Sequence, residues 1–304
     1  MNRWPFGVRH HFLVQVISVS EVCVVHLVRK KNGLVPFRNF LESYLKNPAG
    51  IKHDLLILYK GFNRKASISP YEELLKDIPH SFLRVADFGF DLRSYFVAAK
   101  KHDSKYFCFL NSFSIILDEG WLLKLYRHIS QPGVGMVGAT GSWESIGPSC
   151  VRRIQNPTYK QLVSFLFHRS LEIYFRLYFD RFPNYHLRTN GFMISRDILV
   201  RIHRGVMVRK MHAHRLESGI NSITKQVERM GLKALVVGKD GKGYERQEWD
   251  VSNTFRVEGQ NNLLISDNQT RAYSAAEPQW QQKCEFFSWG KMAIESKPKT
   301  DNNR

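Results

Sequence analysis

The chain has 304 residues, of which 43% are hydrophobic, with 21 Phe, 12 Tyr and 6 Trp and a formal net charge of +18. That content excludes a disordered chain and supplies one large core or two modest ones. The charge implies an anionic partner: nucleic acid, a phosphorylated ligand, an acidic glycan or an anionic membrane surface.

Cys23, Cys108, Cys150 and Cys284 are widely and irregularly spaced, which suggests neither a zinc site nor a disulfide framework. The N-terminal stretch is apolar but broken by His10, His11, Gln15, Ser18, Ser20 and Glu21. It offers neither a spanning run nor a small-residue cleavage site. The expectation is a soluble, cytoplasmic chain whose basic and aromatic surface leaves room for peripheral contact with an anionic inner membrane.

In chain order, Val22–Val28 reads as a strand and Phe37–Leu45 as a helix with Pro36 near its start. Leu55–Leu58 is a second strand, Tyr71–Leu75 a short helix and Phe82–Val85 a third strand. Asp91 caps a helix running to about Lys101. Tyr106–Leu110 is the fourth strand, Gly120–His128 the next helix and Val134–Ala139 the fifth strand. Lys160–Phe179 reads as a long aromatic helix, Leu187–Ile194 as a turn and strand, and Ser218–Met230 as a helix ended by Gly231. Lys233–Val237 is a last strand before a flexible loop, Gly238–Gly243. Beyond Ala275 the pattern is mixed, with Trp280, Phe286, Phe287 and Trp289 available for docking and the final dozen residues expected to be disordered.

Alternating strands and helices over 22–140 predict an α/β fold, a mainly parallel sheet with helices on both faces. In such sheets ligands sit beyond the carboxyl ends of the strands. That rule selects His26, Arg29, Lys60, Asp87 and the tripeptide Asn111-Ser112-Phe113.

The order of elements over roughly residues 20–245 resembles the GT-A fold of nucleotide-sugar glycosyltransferases, family 2-like and divergent at one motif. In that family the fourth strand ends in Asp-x-Asp, which holds a divalent metal and the nucleotide diphosphate. Here Asn111-Ser112-Phe113 stands in its place. The resemblance implies donor binding by residues 1–140, acceptor binding and catalysis by 141–275, and a C-terminal extension over 276–304. It puts the nucleotide pocket at His26, Arg29, Lys60 and Asp87, and a general base at Glu217.

The implied partners are a nucleotide-diphosphate sugar and a saccharide or glycolipid acceptor, such as a capsule or lipopolysaccharide precursor; nucleic acid is not expected. Mn2+ or Mg2+ is the implied cofactor, and a metal-independent route is equally consistent. Without a carboxylate pair, basic groups must neutralise the diphosphate; Arg29, Lys60, Arg64, Lys65, Arg188 and Lys239 lie near strand ends or later loops.

Asn111, Ser112, Thr189 and Asn190 are short polar groups suited to hydroxyls or phosphate, or else to ordinary turns. Asp87 serves a base or ribose, or caps a turn. Glu217, with His214 or His212 assisting, is placed to deprotonate an acceptor hydroxyl in an inverting transfer. His212 and His214 alternate as metal ligands on one strand face would. Competing readings are a nucleotidyltransferase on a related fold, a non-catalytic nucleotide- or acidic-glycan-binding protein, and a transferase that has lost its chemistry.

Overall fold

The computed structural model describes residues 20–63, 66–146 and 173–290. Expectations about the N-terminal stretch, Arg64, Lys65, Cys150, residues 160–172 and the last dozen residues lie outside these.

An eight-stranded sheet organises the chain, its strands lying side by side in the order Gly243–Tyr244, Lys233–Val237, Val134–Gly138, Gly191–Ser195, Tyr106–Leu110, Val22–Arg29, Asp54–Lys60 and Ser81–Val85. Its first four strands are β1 (Val22–Arg29), β2 (Asp54–Lys60), β3 (Ser81–Val85) and β4 (Tyr106–Leu110). All four are mutually parallel. The others are β6 (Val134–Gly138), β9 (Gly191–Ser195), β10 (Lys233–Val237) and β11 (Gly243–Tyr244). β9 runs antiparallel to both β4 and β6, β10 is parallel to β6, and β11 returns antiparallel on β10. The sheet is therefore largely parallel, as expected, with β9 and β11 reversed. Two small ladders stand apart: β5 (Ile115–Ile116) with β12 (Ile265–Ser266), and β7 (Gly141–Ser142) with β8 (His186–Leu187).

Both faces are covered. Successive side chains of a strand point to opposite sides, so Val22, Val24 and Val28 join one core and Cys23, Val25 and Leu27 the other. Helices α1 (Val35–Lys46), α2 (Ser69–Leu74) and α4 (Trp121–Ile129) close the first face with Phe37, Phe40, Tyr71 and Trp121. Helix α3 (Phe90–Lys101) and the helices Arg196–Arg201 and Ile223–Arg229 close the second. Cys23, Cys108 and Cys284 are free and buried, so they pack as small apolar groups.

Two segments differ from expectation. The helix read over Ser218–Met230 is shorter, Ile223–Arg229, and a separate helix, Lys210–Ser218, precedes it. Gly219 is extended between them, and a Cβ there would lie 2.5 Å from the Arg215 carbonyl oxygen. Ser222 then caps the second helix by accepting from the Lys225 N–H. The expected flexible loop 238–243 is instead a pinned hairpin: Asp240 accepts from the Lys242 N–H and the Tyr244 hydroxyl, and Asn262 accepts from the Asp240 N–H.

Candidate active site

The carboxyl ends of β1 to β4 lie along one edge of the sheet, and the first of two polar groupings gathers there. Arg29 closes β1 and donates from Nε and Nη2 to Asp87 Oδ1, at 3.1 and 2.9 Å. Lys60 closes β2, is fully buried, and donates to the Phe90 carbonyl. That carbonyl is presented by an unusual backbone: Gly89 and Phe90 are both left-handed, with φ of 74° and 57°. A non-glycine residue in that region is strained by about 1–2 kcal/mol. A Cβ on Gly89 would lie 2.3 Å from Arg93 Cδ and 2.9 Å from the Met207 carbonyl oxygen. Burial lowers the Lys60 pKa to about 8, opposed by the nearby Asp91 carboxylate.

Asp91 lies in the first turn of α3 and is not the cap expected from sequence, because Gly89 holds that position with no side-chain cap hydrogen bond. Burial raises its pKa, Lys60 and Arg29 pull it back, and Glu217 pushes it up again. Glu217 therefore lies within electrostatic reach of the Arg29–Asp87–Lys60 grouping. Tyr95, one helical turn beyond Asp91, feels the same two carboxylates, and its buried hydroxyl has no partner among the described residues.

The second grouping forms where β4 ends against the start of β9. Leu110 pairs with Gly191. Asn111 then donates its N–H to the Asn190 carbonyl at 3.2 Å, and Ser114 Oγ donates to the same oxygen at 3.0 Å. Asn111 Oδ1 accepts from the Phe113 N–H and from Ser114 Oγ. The Asn190 side chain accepts from Thr140 Oγ1, while its buried amide nitrogen has no partner among the described residues. One residue earlier, Thr189 gives both its N–H and its hydroxyl to Glu217 Oε1, at 2.9 and 2.8 Å. A continuous chain of contacts thus runs from Asn111 through Asn190 and Thr189 to Glu217.

Glu217 sits in the last turn of the helix Lys210–Ser218, not at the start of a helix. The helix dipole does not favour an acid there, and Thr189 holds the carboxylate. His186, buried behind it with Nδ1 at 2.8 Å from the Asn184 carbonyl oxygen, has its pKa lowered by burial and partly restored by that bond and by Glu217.

Other predicted residues are placed differently. His212 and His214 are on a helix, not a strand, and two residues apart on a helix do not share a face. His212 Nδ1 accepts from the Val208 and Arg209 N–H groups, closing the helix start. His214 is half-buried one turn before Glu217. His26 lies inside β1, not at its end: it is fully buried and stacked on Phe40 with ring centroids 3.7 Å apart. Neither of its ring nitrogens has a partner among the described residues, and burial lowers its pKa to about 3. Ser112 and His26 line the same narrow crevice beside Arg29 and Gly33.

Arg188 is buried and ion-paired to Asp267 at 2.8 Å, with its guanidinium over the Phe255 ring. Burial works against the Asp267 charge, yet Arg188 and the Thr270 N–H keep its pKa below the ordinary value. The Arg188 charge is thus matched within the protein. Lys239 instead lines a cavity of about 330 Å³ with Arg271 and Gln260. Arg271 donates to the Phe113 carbonyl at 3.1 Å and to Ser266 Oγ at 3.3 Å. Burial lowers its pKa, and Asp267 opposes that shift. Nothing local in the sequence marks Arg271 or Asp267, and it marks Asp91 only as a helix cap; folding brings them to the site.

The donor set at 111–113 does not fit a divalent cation. Hard cations take several oxygens, usually carboxylates. Here the Asn111 side-chain oxygen already accepts two hydrogen bonds and Phe113 offers no side-chain ligand. Among the described residues no three His, Cys, Asp or Glu side chains gather as metal ligands. The group reaching this tripeptide is the Arg271 guanidinium.

No protein-family model matches the chain, and no curated protein matches it either. Among solved structures it is similar to a mannosyltransferase from Pyrobaculum calidifontis in complex with GDP-Man and Mn2+. The identity is 11% and the TM-score 0.46, over 78% of this chain and 61% of that one. The chain therefore spans about three fifths of that protein's length.

Proposed function

We propose that the chain is a glycosyltransferase that moves a sugar from a nucleotide-sugar donor to a saccharide or lipid-linked acceptor, with inversion at the anomeric carbon. The observation that carries this reading is the linkage Asn111–Asn190–Thr189–Glu217 at the carboxyl edge of the sheet. It joins the place where a parallel sheet receives its ligand to a held carboxylate.

In the proposed reaction the acceptor hydroxyl oxygen attacks the anomeric carbon and the bond to the donor diphosphate breaks. The bonding electrons leave with the nucleoside diphosphate. The hydroxyl proton passes to Glu217. Both hydrogen bonds from Thr189 go to Oε1, so Oε2 is the oxygen placed to take it. Lys239 and Arg271, lining one cavity beside the tripeptide, supply positive charge for the departing diphosphate. No step is assigned to a metal, because the strand-end ligands do not fit one.

A donor screen reading the release of free nucleoside diphosphate tests the proposal. Turnover with at least one nucleotide sugar is expected. Absence of both turnover and nucleotide binding across the screen would refute it and favour the non-catalytic reading.

A further inference from the structure

A second feature is built from residues that the proposed chemistry does not use. Five phenylalanines, Phe175, Phe179, Phe182, Phe286 and Phe287, line a cavity of about 750 Å³. It opens between the helical residues 173–178 and the helix Pro278–Trp289. Its apolar rim faces outward: Phe182, Phe286 and Phe287 are 46%, 43% and 44% exposed. The C-terminal helix is docked by other residues. Trp289 is buried and donates to the Phe255 carbonyl, and Cys284 and Ser288 face inward. The Phe286–Phe287 pair is thus not needed to hold its own helix down. Contiguous exposed apolar surface of this kind marks an interaction site.

The charges around this face decide what it meets. Arg176 and Arg181 line the cavity, and Lys283 stands over the Trp280 ring, 5.1 Å from its centroid, with Trp280 itself exposed. Asp180, which also lines the cavity, pairs with Lys225, while Glu285 on the C-terminal helix accepts from the Tyr273 hydroxyl and keeps its charge. An apolar, aromatic face rimmed by arginine and lysine complements the boundary between acyl chains and anionic headgroups. Among the described residues no helix is long and apolar enough to cross a membrane.

We propose that this face seats the protein on an anionic lipid bilayer, with Phe286 and Phe287 entering the headgroup boundary and Arg181 and Lys283 meeting the phosphates. The test is co-sedimentation of the full chain with phosphatidylcholine vesicles, with and without phosphatidylglycerol. Binding to the anionic vesicles alone, weakened by salt, is expected. The double variant Phe286→Ser/Phe287→Ser should bind at least about tenfold more weakly, the scale of withdrawing one buried phenylalanyl side chain. Arg181→Glu, which leaves the apolar face intact, should also weaken binding, and Leu45→Ser on α1 should bind like the parent. Equal binding to neutral vesicles, no binding to either, or unchanged binding by the double variant would each overturn the proposal. A concentration-dependent dimer without vesicle binding, lost in the double variant, would assign the face to a second copy of the chain and overturn it equally.

Discussion

Glu217 and His26 show how burial and partners decide what a residue can do. Glu217 is fixed by two bonds to one oxygen of its carboxylate, a posture that suits proton removal. Glu217→Gln keeps the shape and the Thr189 contacts but cannot accept a proton. It is predicted to lower turnover by roughly 10²–10⁴-fold, while calorimetry finds donor affinity unchanged. Thr189→Val, which retains the main-chain bond only, should show an intermediate loss.

His26 has the opposite character. It is buried, neutral and without hydrogen-bond partners among the described residues, with its pKa lowered from 6.5 to about 3. The unfolded chain therefore binds a proton there below about pH 6.5, and the native protein does not until about pH 3. The contribution of His26 to stability is whole above that window and is lost as pH falls through it. A shift of this size corresponds to a few kcal/mol, about 1.4 per unit. Chemical denaturation at pH 7 and pH 4 should show His26→Phe losing less stability on acidification than the parent, since the ring stack on Phe40 is kept and the titration is removed.

At the scale of elements, the strands were legible and one junction was not. Tyr106–Leu110 and Ala234–Val237 are unbroken apolar runs, the form a strand buried on both faces must take, and the strands Tyr106–Leu110 and Lys233–Val237 occupy the predicted residues. The break at Gly219 was hidden because apolar residues continue across it and Ser222 reads as an ordinary helical residue. Only the fold reveals the close approach of Gly219 to the Arg215 and Tyr178 carbonyls, with 2.5 and 2.8 Å left for a Cβ. Gly219→Ala must push these apart and displace the end of the helix carrying Glu217. A destabilisation of about 1–3 kcal/mol, with a fall in turnover, is the expected outcome in thermal melts and assays. Arg188 tests a second junction, between the segment entering β9 and the helix Asn268–Ser274. Arg188→Leu leaves Asp267 buried without its cation and should cost about 3–5 kcal/mol in denaturant titration.

Across the whole molecule, the strand-end rule found the edge where Arg29, Lys60, Asp87 and Asn111 lie, since a largely parallel sheet dictates it. It could not find Arg271 or Asp91, which depend on how distant segments pack, nor show that Arg188 is matched by Asp267. The net charge of +18 is distributed to match: a cavity lined by Lys239 and Arg271 lies beside the tripeptide, and arginines line the aromatic cavity near the C-terminal helix. Arg271 donates to the Phe113 carbonyl just beyond the end of β4. The most direct test is a calorimetric titration of the common nucleoside diphosphates into protein held in chelator. The account predicts saturable binding of at least one of them, unchanged when Mn2+ is restored in excess and weakened in Arg271→Ala. Binding that appears only with Mn2+, or no binding of any nucleoside diphosphate, would contradict it.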